Sequence, residues 1–278
     1  MRLSVYEWGD EAAPPVMLVH GGFDFARTYD AFAPRIADAG FRVVSWDHRG
    51  HGDSEHAQLY SWVADERDML AVVDSTTRQP CAAIGHSKGG SMLAHAIQAM
   101  PYRFTRFVAI DGLPFRGRAP DVAERERTVM MREEIARWLD HRRESGGLVR
   151  KPGTLEELAR RRARMNPRLS HEWLCYLAAI GARRDEDGYR WKIDPALRMG
   201  GFGPHRARWA ADRLPGFPIP ILAIFGTESE PMGWDVDPED LKPYLPASAQ
   251  LEVFQDTGHF IHVERPERTA ERVLEFLA

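Results

Sequence analysis

Ser87 is the residue in this chain best placed for chemistry, because Gly85-His86-Ser87-Lys88-Gly89 fits the pattern G-x-S-x-G. Cys81 to Ile84 before it are small or apolar and predict a buried strand, and Ser91 to Met100 after it carry helical periodicity. A strand turning sharply into a helix lifts the serine hydroxyl to the carboxyl edge of a sheet, above the positive end of the helix. Gly90 lets that helix pack close to the strand. Serine is a weak nucleophile at neutral pH, so the chemistry needs a base, and a histidine suits that task. His259 follows the last predicted strand, from where a loop can fold back over the serine. His262 competes with it, but the neighbouring Glu264 points to a salt bridge or cap there.

The elements that must position these groups alternate. Arg2–Trp8 predicts an edge strand, Val16–Val19 a fully apolar strand ending in His20-Gly21-Gly22-Phe23, and Thr28–Ala39 a helix. Phe41–Trp46 predicts a strand leading into Asp47-His-Arg-Gly-His-Gly-Asp-Ser54, and Ser61–Asp74 a helix. After the serine come a strand over Phe104–Ile110, then later Ile219–Phe225, Gln250–Phe254 and a closing helix over Pro266–Leu277. Strand and helix joined by short links predict an α/β fold with a mostly parallel central sheet covered on both faces. That rhythm breaks between residues 114 and 215, which read as helical and without strands, with helices over Asp121–Arg143, Thr154–Met165 and Ser170–Ala182. The division is a core of 1–113 and 216–278, with 114–215 inserted as a helical cap over the carboxyl end of the sheet. The inserted stretch holds 23 basic and 15 acidic residues, about +8, while the rest carries about −12.

The 278 residues suit one large domain or one domain with an insertion, and a net charge of −4 offers no bulk attraction to nucleic acid or a membrane surface. No apolar run at Met1–Trp8 is long enough for a signal peptide, and nothing later is long enough to span a bilayer. The two cysteines, Cys81 and Cys175, lack CxxC or metal spacing and read as reduced core thiols. These features predict a soluble, cytoplasmic protein.

Four motifs in order (His20-Gly21-Gly22, Asp47 to Ser54, Gly85 to Gly90, and Gly258-His-Phe-Ile-His-Val-Glu-Arg-Pro266) make the chain resemble an α/β-hydrolase of the serine esterase, lipase and lactonase type with a cap. The resemblance implies Ser87 as nucleophile and His259 as base, with an oxyanion hole from the backbone N–H of Lys88 and one from Gly22 or Phe23. It makes Asp47–Ser54 a structural, hydrogen-bonded turn near the site. The acid departs from the pattern. Ser229 occupies the slot where relatives carry an aspartate, flanked by Glu228 and Glu230. Glu230 is the expected acid, ahead of Asp111, the position used by dehalogenase-like relatives, and of Glu228. Ser87 sets the chain apart from the epoxide hydrolases and haloalkane dehalogenases of this fold, whose nucleophile is a carboxylate.

No zinc spacing, phosphate loop or dinucleotide fingerprint is present, so no metal or cofactor is implied. Large groups of the cap, among them Trp138, Trp173, Tyr176, Trp191, Phe202 and Trp209, are expected to hold its helices together and in part to line an apolar pocket. The expected reaction is hydrolysis of an ester, lactone or thioester with an apolar acyl group. Its alternatives are C–C bond hydrolysis, cyanohydrin cleavage, perhydrolysis, or a slow-turnover receptor for a small molecule. The arginine excess reads mainly as solvated helix faces, with attraction of an anionic substrate as a second reading.

Overall fold

The computed structural model describes residues 1–113, 127–197, 211–233 and 236–278. Its main sheet comprises β1 (Val5–Trp8), β2 (Pro15–Val19), β3 (Arg42–Trp46), β4 (Cys81–His86), β5 (Phe104–Ile110), β8 (Ile221–Gly226) and β9 (Gln250–Phe254). Across the sheet the order is β1-β3-β2-β4-β5-β8-β9, and β1 alone runs antiparallel, to β3. A central parallel strand is covered on both faces, so its residues are apolar in succession rather than alternately. Val16, Leu18, Ile84, Val108, Ile110, Leu222 and Ile224 enter one core cluster. Met17, Val19, Ala83, Phe107, Ala109, Ala223 and Phe225 enter the other. Helices α2 (Trp62–Thr76) and α3 (Lys88–Ala99) supply Met69, Val72, Val73, Met92, Leu93 and Ile97 to the second cluster. The first cluster receives Ile36 of α1 (Ala33–Asp38) and Ala270, Val273 and Phe276 of the last helix (Pro266–Leu277). The predicted α/β fold is the one observed.

The helix expected over Thr28–Ala39 is divided into a 3-10 segment, Ala26–Ala31, and α1. Pro34 lacks an N–H and fits only the first turn of a helix, so it restarts the element. Between β5 and β8 the chain leaves the main sheet. It forms α4 (Arg127–Ser145), α5 (Leu155–Ala163) and α6 (His171–Gly181). Thr154 and Glu157 close a reciprocal capping box on α5, and Ser170 accepts from the Trp173 N–H on α6. The expected start of a helix at Asp121 lies outside the described residues, as do Phe202 and Trp209.

The expectation that this stretch lacks strands is corrected. β6 (Ala182–Asp185) and β7 (Gly188–Trp191) form an antiparallel hairpin. Its turn needs Gly188 at φ 135°, and Arg190 ties Asp185 and Asp187 across it. The strands are four residues each, β6 with three charged residues and β7 with one apolar–polar–apolar triplet too short to mark a strand. Cys175 is also not a core thiol. It is half-buried on α6, with Sγ 3.4 Å from His171 Nε2 and 3.6 Å from a Glu156 oxygen.

The β5–β8 segment packs on the main body through its own apolar cluster. Leu158, Leu174, Leu177 and Ala178 meet Phe25 and Phe260, two residues from the loops after β2 and β9. Lys192–Pro195 lies against the Asp47–Ser54 turn, where Asp194 N–H donates to Gly50 O at 2.8 Å and Lys192 Nζ pairs with Asp53 at 2.7 Å. Tyr60 donates to Asp194 Oδ2 at 2.5 Å in the same seam. Among the described residues no helix is long and apolar enough to cross a membrane.

Candidate active site

The strand order changes direction beside β2, since β3 lies on one side of it and β4 on the other. The loops leaving β2 and β4 therefore diverge and open a crevice at their carboxyl ends. Ser87 sits in that crevice at φ 52°, ψ −123°, a backbone conformation that costs a non-glycine residue about 1–3 kcal/mol. The surrounding packing holds it there. Ser87 N–H donates to Ile110 O at 3.1 Å, and a Cβ on Gly89 would stand 2.1 Å from Val19 O. Gly112 is confined in the same way, because a Cβ there would meet Ser87 N and O at 2.7 and 2.6 Å. Lys88 is the first residue of α3, so its N–H has no intrahelical acceptor.

The second expected donor was the N–H of Gly22 or Phe23, and Phe23, at φ 57°, spends its N–H on His51 Nε2 at 3.1 Å. The Asp47–Ser54 turn is the hydrogen-bonded device expected of it. Asp47 Oδ1 accepts from Ala26 N–H and Oδ2 from Asp53 N–H, both at 2.8 Å, which ties the loop after β2 to the turn after β3. Burial lifts the Asp47 carboxyl to about 6.

His259 is buried in the loop after β9. Its Nδ1 stands 2.5 Å from Asp111 Oδ2. Asp111 follows directly on β5 at φ 42° and takes its own place from the Asp111 N–H bond to Ile224 O at 2.8 Å. Glu230, the expected acid, is not against the ring. Its Oε2 accepts the backbone N–H of His259 at 2.7 Å. The expectation that Glu230 orients the imidazole is therefore corrected in favour of the Asp111 contact. The reason is reach. Glu230 lies in the β8 loop under the backbone of Gly258-His259, so close that a Cβ on Gly258 would meet Glu230 Oε2 at 2.4 Å. Burial raises the Glu230 carboxyl above its ordinary range, opposed by the bond from His259 N–H. Glu228 is exposed and shares a contact with Thr227 Oγ1. His262 is buried under His86 with ring centroids 4.6 Å apart, not salt-bridged to Glu264, which instead accepts from Gly258 N–H and Arg168 Nε at 2.9 Å.

Two further contacts are marked by no motif of their own. Lys88 Nζ, itself buried, pairs with Asp65 Oδ2 of α2 at 2.6 Å. A lysine following the serine of a buried corner demands a counter-charge, but nothing in the sequence says which acid supplies it. Arg162 of α5 donates to Phe23 O at 2.7 Å and to Asp24 Oδ1 at 3.3 Å, so the β5–β8 segment grips the loop after β2. Removing the carboxylate in Asp65→Asn leaves Lys88 buried without its charge partner and is expected to cost about 3–5 kcal/mol of unfolding free energy. The double change Asp65→Leu with Lys88→Met is expected to recover most of that loss in urea titration.

Five buried histidines surround the crevice: His20, His48, His51, His86 and His262. Burial holds all five below the ordinary imidazole value, with His48, His51 and His262 at about 3. Neutral rings are what the contacts require. His51 Nδ1–H donates to Arg49 O at 2.9 Å while Nε2 accepts from Phe23, and His20 Nδ1–H donates to Gly21 O at 2.7 Å while Nε2 accepts from His48 N–H. These groups take up protons in the unfolded chain below about pH 6.5 and refuse them in the fold, so their stabilisation is complete above that pH. It is lost progressively as pH falls toward 3. The raised Asp24, Asp47 and Glu230 act oppositely but are fewer. Urea midpoints are expected to fall monotonically from pH 7 to pH 4 (roughly the window between the imidazole and carboxyl values), and a rising midpoint over that range would contradict the assignment.

The sequence pattern of the "Alpha/beta hydrolase family" matches residues 16–272. The chain belongs to the alpha/beta hydrolase family. Over 288 residues, 97% of this hydrolase and 83% of its relative, it is 23% identical to the sn-1-specific diacylglycerol lipase ABHD11 of Mus musculus. Over 99 residues, 34% of this hydrolase and 31% of the relative, it is 31% identical to Epoxide hydrolase A of Mycobacterium tuberculosis. Among solved structures, a thioesterase domain from the curacin biosynthetic pathway superposes with a TM-score of 0.81 at 20% identity, covering 98% of this chain and 95% of that one.

Proposed function

We propose that this alpha/beta hydrolase cleaves a carboxylic ester, lactone or thioester through an acyl-enzyme on Ser87. The observation that carries the reading is the 2.5 Å contact between His259 Nδ1 and Asp111, on a loop that returns to the Ser87 corner. A carboxylate on Nδ1 fixes the tautomer whose Nε2 is free to accept a proton, and it stabilises the imidazolium formed when it does. In this scheme Ser87 Oγ bonds to the substrate carbonyl carbon as His259 takes its proton. The N–H groups of Gly22 and Lys88 hold the oxyanion. Collapse breaks the C–O or C–S bond, and His259 returns the proton to the leaving oxygen or sulfur. Water, deprotonated by the same imidazole, then bonds to the acyl carbon; the bond from that carbon to Ser87 Oγ breaks, the imidazolium returns the proton to Oγ, and the acid leaves. Residues 114–215 serve as the cap, with Arg162 and the Phe25–Phe260 cluster fixing it to the two loops that carry the site. Glu230 is a positioning residue that sets the height of the His259 backbone. Two of the three named relatives, a lipase and a thioesterase domain, accord with acyl transfer as the reaction class; the third, an epoxide hydrolase, does not, and Ser87 stands here where that chemistry needs a carboxylate.

The test is a fluorophosphonate probe together with p-nitrophenyl butyrate. Stoichiometric phosphonylation mapped to Ser87 by peptide mass, with parallel loss of ester turnover, is expected. An enzyme that turns over no ester and stays unlabelled overturns the reading.

A further inference from the structure

The geometry points to an anion-recognising pocket between the β5–β8 segment and the loops around Ser87, so that the substrate carries a terminal carboxylate or phosphate on an apolar stem. The inference rests on the hydrolase reading above for its reaction and adds the substrate class. The pocket encloses 520 Å³, ample for a small acyl group, and its lining includes Arg150, Lys151, Arg161 and Arg162. No aspartate or glutamate lines it among the described residues.

The charge balance decides what such a lining wants. Arg162 is matched by Asp24 at 3.3 Å. Arg150 instead spends its guanidinium on two neutral acceptors, Ile193 O and Asp194 O, each at 3.1 Å. Arg161 does the same with Lys151 O at 2.8 Å and Pro152 O at 2.7 Å, and its nearest carboxylate, the exposed Glu157, is 4.0 Å away. Carbonyl oxygens orient a guanidinium without cancelling its charge. Burial pulls the Arg150 guanidinium below its ordinary value, and the Asp194 charge opposes that shift without reversing it. An incoming carboxylate or phosphate is the acceptor that supplies further counter-charge.

The rest of the lining is apolar and includes residues that neighbour the proposed site in sequence. Phe23 follows Gly22, the residue proposed to hold the oxyanion, and Pro231 and Met232 follow Glu230, which holds the His259 backbone. Trp191 and Met165 close the side formed by the β5–β8 segment. A substrate whose carbonyl lies at Ser87 can run its stem past Phe23 and Met232 and place its anionic end among the cations.

Three p-nitrophenyl esters of equal chain length test this: mono-p-nitrophenyl suberate, its methyl-capped neutral ester, and the ester of an ω-phosphonooxy acid. Wild type is expected to favour at least one anionic ester over the neutral one by about tenfold or more in kcat/KM, and the preferred anion separates a carboxylate from a phosphate source. The preference is expected to shrink in about 0.5 M salt and to collapse in Lys151→Glu, a surface change that leaves the buried guanidinium contacts in place. Neutral and anionic esters turned over equally well by wild type overturn the proposal and leave the hydrolase reading standing. If no ester is turned over and Ser87 stays unlabelled, the hydrolase reading fails, and calorimetry decides the pocket by itself. Octanoate or octyl phosphate bound at least about tenfold more tightly than octanol supports it, and equal or undetectable binding overturns it.

Discussion

Ser87→Ala is expected to lower kcat on p-nitrophenyl butyrate by about 10⁶-fold, because the serine and its base act as one unit and neither retains much without the other. What remains is expected to come from the proposed N–H donors of Gly22 and Lys88 and from substrate binding. The substitution removes one hydroxyl and keeps the backbone at φ 52°, where alanine is strained about as much as serine. The Ser87 N–H bond to Ile110 O and the close contacts of Gly89 and Gly112 do not involve the side chain oxygen. Thermal unfolding is therefore expected to move little, which separates lost chemistry from lost fold. A variant that keeps a tenth or so of wild-type kcat sinks Ser87 as nucleophile, given a loss of that size for a reacting serine.

Asp111→Asn is expected to reduce kcat by about 10⁴-fold, since an amide on Nδ1 favours the wrong imidazole tautomer and withdraws the charge that stabilises the imidazolium. Glu230→Gln is expected to stay within about tenfold of wild type, because glutamine keeps an oxygen able to accept the His259 N–H and the lost interaction is one hydrogen bond's strength. The comparison is informative because both carboxylates touch His259, one at the ring and one at the backbone. Single-turnover kinetics over pH 5–9, about the span in which an imidazole base titrates, separates the roles further. Loss of the acid-side limb, the rise in rate with pH that a general base produces, is expected in Asp111→Asn and its retention in Glu230→Gln. The reverse ranking would return the orienting role to Glu230.

The placement of these groups was unevenly legible. The apolar runs at Val16–Val19, Cys81–Ile84 and Phe104–Ile110 predict central parallel strands because such strands are buried on both faces, and they occupy those places. The last helix is correct to the residue, Pro266–Leu277, since a proline opens it and one face is apolar throughout. The hairpin at Ala182–Trp191 was hidden, because it is held by Arg190 with Asp185 and Asp187 rather than by an apolar pattern.

By itself the sequence determined the corner at Ser87, the histidine in the loop after β9 and the alternating architecture that brings them to one edge, because glycine spacing and hydrophobic period are local properties of the chain. Only the tertiary structure decided which acid meets the ring, since that depends on whether a carboxylate from β5 or from the β8 loop ends nearer to Nδ1 after the sheet is assembled. Asp111 lies 148 residues from His259 in sequence and Glu230 only 29, yet the more distant one reaches the imidazole. The same holds for Lys88 with Asp65 and for the cations around Trp191. Charge pairs and pockets are made by surfaces that meet late, and no spacing along the chain encodes where two such surfaces touch.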